Sequence, residues 1–154
     1  MDSSIHFIDV SERRNADLVY DLQQLSYLEE SKLIDYPNLP PLLESIDDLM
    51  ISKETFIGFY QGVQLLGVIS CLISNEVLEI GRLIVHPHHF RQGIAKKLLK
   101  YVEGFQSQIL LLKVSTAQKN MPAIKLYENQ GYHQKSIERL QDGLTIVHLE
   151  KVLK

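Results

Sequence analysis

Residues 83–99 read LIVHPHHFRQGIAKKLL, and the way this stretch folds decides the rest of the chain. It opens apolar and β-branched, like the end of a buried strand. From Ile94 through Ala95, Leu98 and Leu99 to Val102 the apolar residues recur on one helical face, while Lys96, Lys97, Lys100 and Glu103 face away. Between the two lies a basic loop holding His86, Pro87, His88 and His89 and ending at Gly93. Strand, loop and helix in that order offer two chemistries: a metal held by the histidines, or an anion held by backbone amides.

The metal reading is poorly supplied. Pro87 interrupts the histidines, and no cysteine or acidic residue stands close by to complete a ligand shell. His6, His133 and His148 are isolated. The expectation is therefore no metal, with the histidines forming a polar turn. The anion reading needs no special side chains. The first turn of a helix has free N–H groups and a partial positive charge, which suits a polyphosphate. Gly93 removes the Cβ that would block close backbone approach, Ala95 keeps the next turn small, and Arg91, Lys96 and Lys97 add positive charge at the rim.

Working outward, the pattern predicts strands at Ile5–Val10, Thr55–Tyr60, Val63–Ile73 and Val77–Val85. Further strands are expected at Ile109–Val114, buried on both faces, and at His133–Leu140 and Thr145–Val152, paired across a turn at Gln141-Asp142-Gly143. A first helix, capped by Ser11, carries Leu18, Leu22 and Leu25 at helical spacing. A second, short helix is expected at Leu42–Ile51 after Pro37, Pro40 and Pro41 break the chain. Gly93–Phe105 and Pro122–Gln130 supply two more, the last ending at Gly131. The order βααβββαβαββ describes an α/β (α+β) fold: a mixed, mostly antiparallel sheet of about seven strands with helices on both faces, read as one domain over residues 1–154.

The 154 residues suit a single core, and 45% hydrophobic content excludes a disordered chain. No apolar run approaches the roughly 18 residues of a membrane span, and the start MDSSIHFIDV lacks a secretory pattern. Cys71 is the only cysteine. A reducing, cytoplasmic setting is the expectation. The net charge of −3 conceals a split of −10 over residues 1–80 and +7 over residues 81–154. Such a division suits two ligands of opposite charge.

Two motifs point to a family. The run L-x-V-x-P-x-x-x-x-x-G-I-A-x-x-L-L, from Leu83 to Leu99, resembles the acyl-CoA-binding motif of the GNAT superfamily of N-acetyltransferases. Downstream, Asn120, Ala123, Ile124, Leu126, Tyr127, Gly131 and Tyr132 form N-x-x-A-I-x-L-Y-x-x-x-G-Y, also typical of that superfamily. The resemblance covers about Val63 to Leu149. It departs in one place: where the family usually has Gln or Arg, this chain has Phe90, with Arg91 next.

The resemblance implies acetyl transfer from acetyl-CoA, as co-substrate, to a primary amine. Arg91, Gln92, Gly93, Ile94, Ala95 and Lys96 would hold the coenzyme's phosphates. Leu83, Ile84 and Val85 would pair with its pantetheine arm and offer an N–H to the thioester oxygen, and Asn120 would hydrogen-bond the arm. Tyr127 would donate a proton to the leaving thiolate. A lysine-like amine, with a pKa of about 10.4, is neutral in only about one molecule in 2,500 at pH 7, so a base helps. Glu79 is the candidate, with Glu76 as fallback; simple alternation puts Glu79, Gly81, Leu83 and Val85 on one face. Cys71 has no adjacent base, so direct attack by the amine is expected rather than an acyl-cysteine.

Glu29, Glu30, Asp35, Glu44, Asp47 and Asp48, with Lys32 as the one nearby cation, would form an acidic wall for a cationic small-molecule or peptide amine, lined by Tyr27 and Tyr36. That acidity argues against nucleic acid as a partner. Dimers are common in the superfamily, so a homodimer is admitted. A non-catalytic acetyl-CoA-binding sensor also fits the cofactor motif, although the tyrosine motif favours catalysis.

Overall fold

A computed structural model describes residues 2–140 and 142–153. One seven-stranded sheet runs in the order β1-β2-β3-β4-β5-β7-β6. Its strands are β1 (Ser3–Ile8), β2 (Thr55–Gln61), β3 (Gln64–Ser74), β4 (Val77–Val85), β5 (Leu111–Ala117), β6 (His133–Arg139) and β7 (Thr145–Val152). The helices are α1 (Arg13–Ile34), α2 (Ile46–Met50), α3 (Ile94–Glu103) and α4 (Met121–Asn129). Every neighbouring pair is antiparallel except β4 and β5, which run parallel. The expected class and element order hold.

Helices cover both faces, each over its own core. On one side Ile94, Leu98, Leu99 and Val102 of α3 and Ile124 and Tyr127 of α4 pack on Ile69, Leu78, Leu112 and Val114. On the other, Ala16, Val19, Leu22, Tyr27 and Ile34 of α1 and Leu49 of α2 pack on Phe56, Val68 and Ile84. Burying each α3 side chain is worth roughly 1.5–3 kcal/mol. That far exceeds the few tenths lost by having Gly93, rather than Ser or Asp, at its N-cap. The helix can therefore leave its first amides uncapped.

Several local expectations change. Ser11 does not cap α1: Glu12 occupies the N-cap without a side-chain bond, and the Ser11 hydroxyl instead donates to Asp9 Oδ1 at 2.6 Å. Leu18 and Leu25 are exposed, because α1 buries the stripe through Ala16, Val19, Leu22, Gln23, Tyr27, Ser31 and Ile34. The expected second helix divides into a 3-10 turn at Pro40–Leu43 and α2, whose Ser45 forms a capping box with Asp48. Over residues 112–115 strand β5 is buried on one face only: Leu112 and Val114 point into the core, while Lys113 and Ser115 are exposed. Of the expected turn between β6 and β7, Gln141 lies outside the described residues, while Gly143 has φ +90°.

The change that matters most lies in β4. Ser70 and Cys71 of β3 face Arg82 and Ile80, leaving Gly81 as an extra residue in the ladder. This bulge reverses the alternation. Leu78 and Ile80 before it, and Leu83 and Val85 after it, face the α3 side, while Ile84 faces α1. Glu79 therefore does not share a face with Leu83 and Val85, as simple alternation required; it sits on the α1 side. A Cβ at Gly81 would collide with the Glu54 carboxylate, so any larger residue there must displace that side chain from Arg82.

Candidate active site

Strands β4 and β5 pair only over Val77–Leu111, Leu78–Leu112 and Glu79–Lys113, and then diverge. The fork leaves a cavity of about 250 Å³ that passes between the two faces of the sheet. Ile80, Gly81, Arg82 and Leu83 line it from β4, and Val114, Ser115, Thr116 and Ala117 from β5. On the α4 side it meets Asn120, Ala123 and Tyr127. On the α1 side it meets Tyr27 and Glu30, roofed by Leu39, Pro40 and Pro41 from one loop and by Leu140 and Leu144 from the β6–β7 end. The Tyr36 hydroxyl is hydrogen-bonded to Asp142, which ties those two loops together. The cavity thus has walls from both helical layers.

Tyr127 is buried, and its hydroxyl is not engaged by any protein group among the described residues. Burial, reinforced by the negative charge of Glu30, pushes its pKa well above the ordinary tyrosine value. It therefore stays protonated at neutral pH and can donate. Asn120 sits at the N-cap of α4, where its side chain accepts from the Ala123 amide at 3.3 Å. Pro122 occupies the first turn of α4, so Asn120 precedes the helix rather than sharing its face.

The loop before α3 has the expected shape. Gly93 is the N-cap with φ +78° and open space around its Cα, and Arg91 is also left-handed, with φ +65°. The first return bond runs from Lys97 N to Gly93 O, at 3.0 Å. The amides of Ile94, Ala95 and Lys96 thus precede the helical ladder and point out of its end. Arg91, Gln92 and Lys96 are exposed around them, and the Ile94 side chain is buried. Phe90 is 48% exposed, so it fills no core position. Lys97 leans away, its Nζ 5.6 Å from the Phe59 ring centre. The histidines pack against one another, and His86 Nδ1 accepts from the His88 amide at 3.1 Å. Burial, then the charges of His88 and His89, lowers the His86 pKa. No cluster able to hold a metal occurs among the described residues.

The acidic wall resolves into separate tasks. Glu44 and Glu54 clamp Arg82 at 2.9 and 3.2 Å, with Gln23 accepting from the same guanidinium at 2.7 Å and Ser70 at 3.1 Å. Burial acts to lower the Arg82 pKa, but the hydrogen bonds to Glu54 and Glu44 outweigh it and raise it. Asp48 belongs to the capping box, and Asp35 closes α1 in a left-handed conformation. Only Glu30 of the six reaches the cavity. Burial raises its carboxyl above the usual range, and the Asn120 side chain offsets part of that. Tyr27, three residues earlier on the same helical face, is buried beside it, and burial raises its pKa also.

Of the residues nominated from sequence, the fork brings Leu83, Asn120 and Tyr127 to one cavity. Ile84 and Val85 continue β4 beyond it, their side chains buried. Glu79 is exposed beside Lys113 at the last paired position, outside the cavity lining. Glu76 lies in the β3–β4 turn, where its carbonyl accepts from the Leu110 and Leu111 amides. Cys71 is fully buried and burial pushes its thiol up to about 11, consistent with an inert side chain. Sequence reasoning missed Arg82 and Ser115. An arginine beside a glycine within an otherwise apolar strand was the available signal for the first.

Comparisons with known proteins agree with this geometry. Two curated relatives match: UPF0157 protein YqkA of Bacillus subtilis (strain 168), 33% identical over 94% of this chain and 43% of its own length, and the peptidyl-lysine N-acetyltransferase YiaC of Escherichia coli (strain K12), 36% identical over 46% of this chain and 44% of its own. The aligned region thus spans less than half the length of each. Among solved structures, the PaiA N-acetyltransferase of Thermoplasma acidophilum in complex with coenzyme A superimposes with a TM-score of 0.79 at 19% identity, over 99% of both chains. The ribosomal-protein-S18-alanine N-acetyltransferase of Escherichia coli gives 0.77 at 16% identity, over 99% of this chain and 95% of that one. An aminoglycoside 6'-N-acetyltransferase complexed with coenzyme A gives 0.75 at 16% identity, over 98% and 97%. These likenesses are of fold. Residues 17–132, three quarters of the sequence, match the Acetyltransferase (GNAT) family, and the chain belongs to that family.

Proposed function

We propose that the protein transfers an acetyl group from acetyl-CoA to a cationic primary amine by direct attack. The single observation that carries this is the fork between β4 and β5. It joins Asn120 and a protonated, buried Tyr127 on one face to a carboxylate-bearing pocket on the other. Both substrates can thus meet at the thioester without sharing a surface. Two of the similar proteins are named for a peptidyl-lysine and for an aminoglycoside, both cationic amines.

In this reading the coenzyme's phosphates lie on the amides of Ile94, Ala95 and Lys96, with Arg91 and Gln92 at the rim, and its pantetheine arm runs along the unpaired edge of Leu83, Ile84 and Val85 past Asn120. An N–H of that edge steadies the oxyanion as it forms. Tyr127 gives its proton to the departing sulfur. Glu30 receives the cationic head of the acceptor. Glu79 stands on the acceptor face at the splitting point but outside the cavity lining, so the amine's proton passes to a group nearer the cavity.

Free-thiol release across a panel of polyamines, aminoglycosides and lysine peptides, with calorimetry for coenzyme A, tests the reading. Turnover is expected, and Tyr127→Phe should lower kcat about 10²-fold while leaving coenzyme affinity unchanged. Binding without turnover of any amine would point instead to a sensor, and no binding at all would remove the assignment.

A further inference from the structure

The acceptor face of the split sheet carries a hydrogen-bonded chain across three strands. Ser115 of β5 lines the cavity, and its hydroxyl lies 2.7 Å from Nδ1 of His148, its cross-strand partner on β7. His148 Nε2 lies 3.0 Å from Glu138 Oε1 on β6. A carboxylate can only accept, so Nε2 carries its hydrogen toward Glu138. In the neutral ring Nδ1 is then a free acceptor for the Ser115 hydroxyl. The outer carboxylate thereby sets the tautomer that aims a base inward. Glu79, by contrast, lies outside the lining.

We propose that Ser115 and His148 form a direct proton-accepting relay for the acceptor amine, with Glu138 as the positioning residue. The proposal rests on the acetyl-transfer reading above and supplies the base that touches its substrate. The ammonium gives one proton to Ser115 Oγ as the serine's own hydrogen passes to His148 Nδ1. The freed nitrogen lone pair forms the N–C bond at the thioester carbonyl, and the C–S bond breaks. Sulfur takes a proton from Tyr127, whose phenolate recovers one from the new amide nitrogen. His148 returns its proton to solvent, leaving amide, thiol and one released proton. The ring nitrogen is suited to this because imidazole is the side chain whose charge change falls near neutrality.

Other charged groups share this sheet face by register and bear on the relay's titration. They are Glu150 two residues along β7, His133 opposite it on β6, Lys113 on β5 and Glu79 beyond on β4.

The test is kcat/KM against pH for wild type, Ser115→Ala, His148→Phe, His148→Gln, Glu138→Gln and Glu79→Gln. Nitrogen-15 spectra of the His148 ring accompany it in wild type and Ser115→Ala. The relay predicts an acid limb in wild type that both His148 variants displace upward to the amine's own pKa, with kcat/KM near neutrality falling about 10²-fold. That loss should shrink as pH approaches the amine's own pKa, where no base is needed. Glu138→Gln should lower kcat/KM and admit the Nδ1-protonated tautomer to the nitrogen-15 spectra, because an amide can donate to Nε2 as well as accept from it. The spectra should show Nε2 protonated in the neutral wild-type ring, and a lost Nδ1 hydrogen bond in Ser115→Ala. A His148→Gln profile superimposing on wild type, or a limb displaced only by Glu79→Gln, overturns the relay while acetyl transfer stands. Wild-type protein that binds coenzyme A yet acetylates no amine overturns both.

Discussion

At the residue scale the site depends on groups whose charge state burial decides. Glu30 is a carboxylate held in a cavity against Asn120, with its pKa raised chiefly by burial. A group with a raised folded pKa contributes stability that is fully present below its unfolded pKa and is lost as pH climbs through the folded value. Glu30→Gln should therefore raise Tm at pH 7 and leave it unchanged near pH 4, as read by calorimetry at the two pH values. The same variant should raise KM for polyamines and leave coenzyme affinity alone, because Glu30 faces the acceptor side. Tyr27 and Glu30 share a helix face by their spacing of three, which was readable in advance. That this face meets a fork in the sheet was not, since the fork arises from β4–β5 pairing that stops at Glu79.

At the element scale, the loop-to-α3 junction and the bulge in β4 both turn on single glycines. Gly93 adopts φ +78°, a conformation that costs an L-residue roughly 1–2 kcal/mol. Gly93→Ala should lower stability by about that amount and weaken coenzyme A binding more than it slows bound-state turnover. Urea melts and isothermal titration check the two halves. The Arg82 clamp joins α1, the chain before α2, β3 and the bulged β4 through Gln23, Glu44, Ser70 and Glu54. Arg82→Leu leaves two half-buried carboxylates without their cation and should cost about 3–5 kcal/mol. Chemical denaturation measures it, and adding Glu54→Gln to Arg82→Leu should recover part of the loss. Simple alternation misplaced Glu79 because an inserted residue is invisible to a two-residue period; the register against β3 is what reveals it.

At the scale of the whole molecule, Tyr27, Tyr127 and Tyr132 are buried, and burial raises the pKa of each. The folded state therefore holds their protons more tightly than the unfolded chain does. Stability is complete below the unfolded value near 10 and falls as pH rises above it, by up to about 1.4 kcal/mol per pH unit for each tyrosine. Alkaline melts should show a loss beginning near pH 10, shallower in Tyr27→Phe, with phenolate absorbance at 295 nm appearing together with unfolding. The local signals alone settled much of this molecule: the element order, the α3 stripe and the left-handed Gly131 that follows α4, because helix and strand periods and a glycine's missing Cβ are local properties. Folding in three dimensions decided the rest. It selected which stripe of α1 turns inward, drew Glu44 into a clamp for Arg82 and Asp48 into a capping box, and set Ser115 beside His148. Those outcomes depend on strand register, on where β5 parts from β4, and on charges that pair across distant positions, none of which a local pattern encodes.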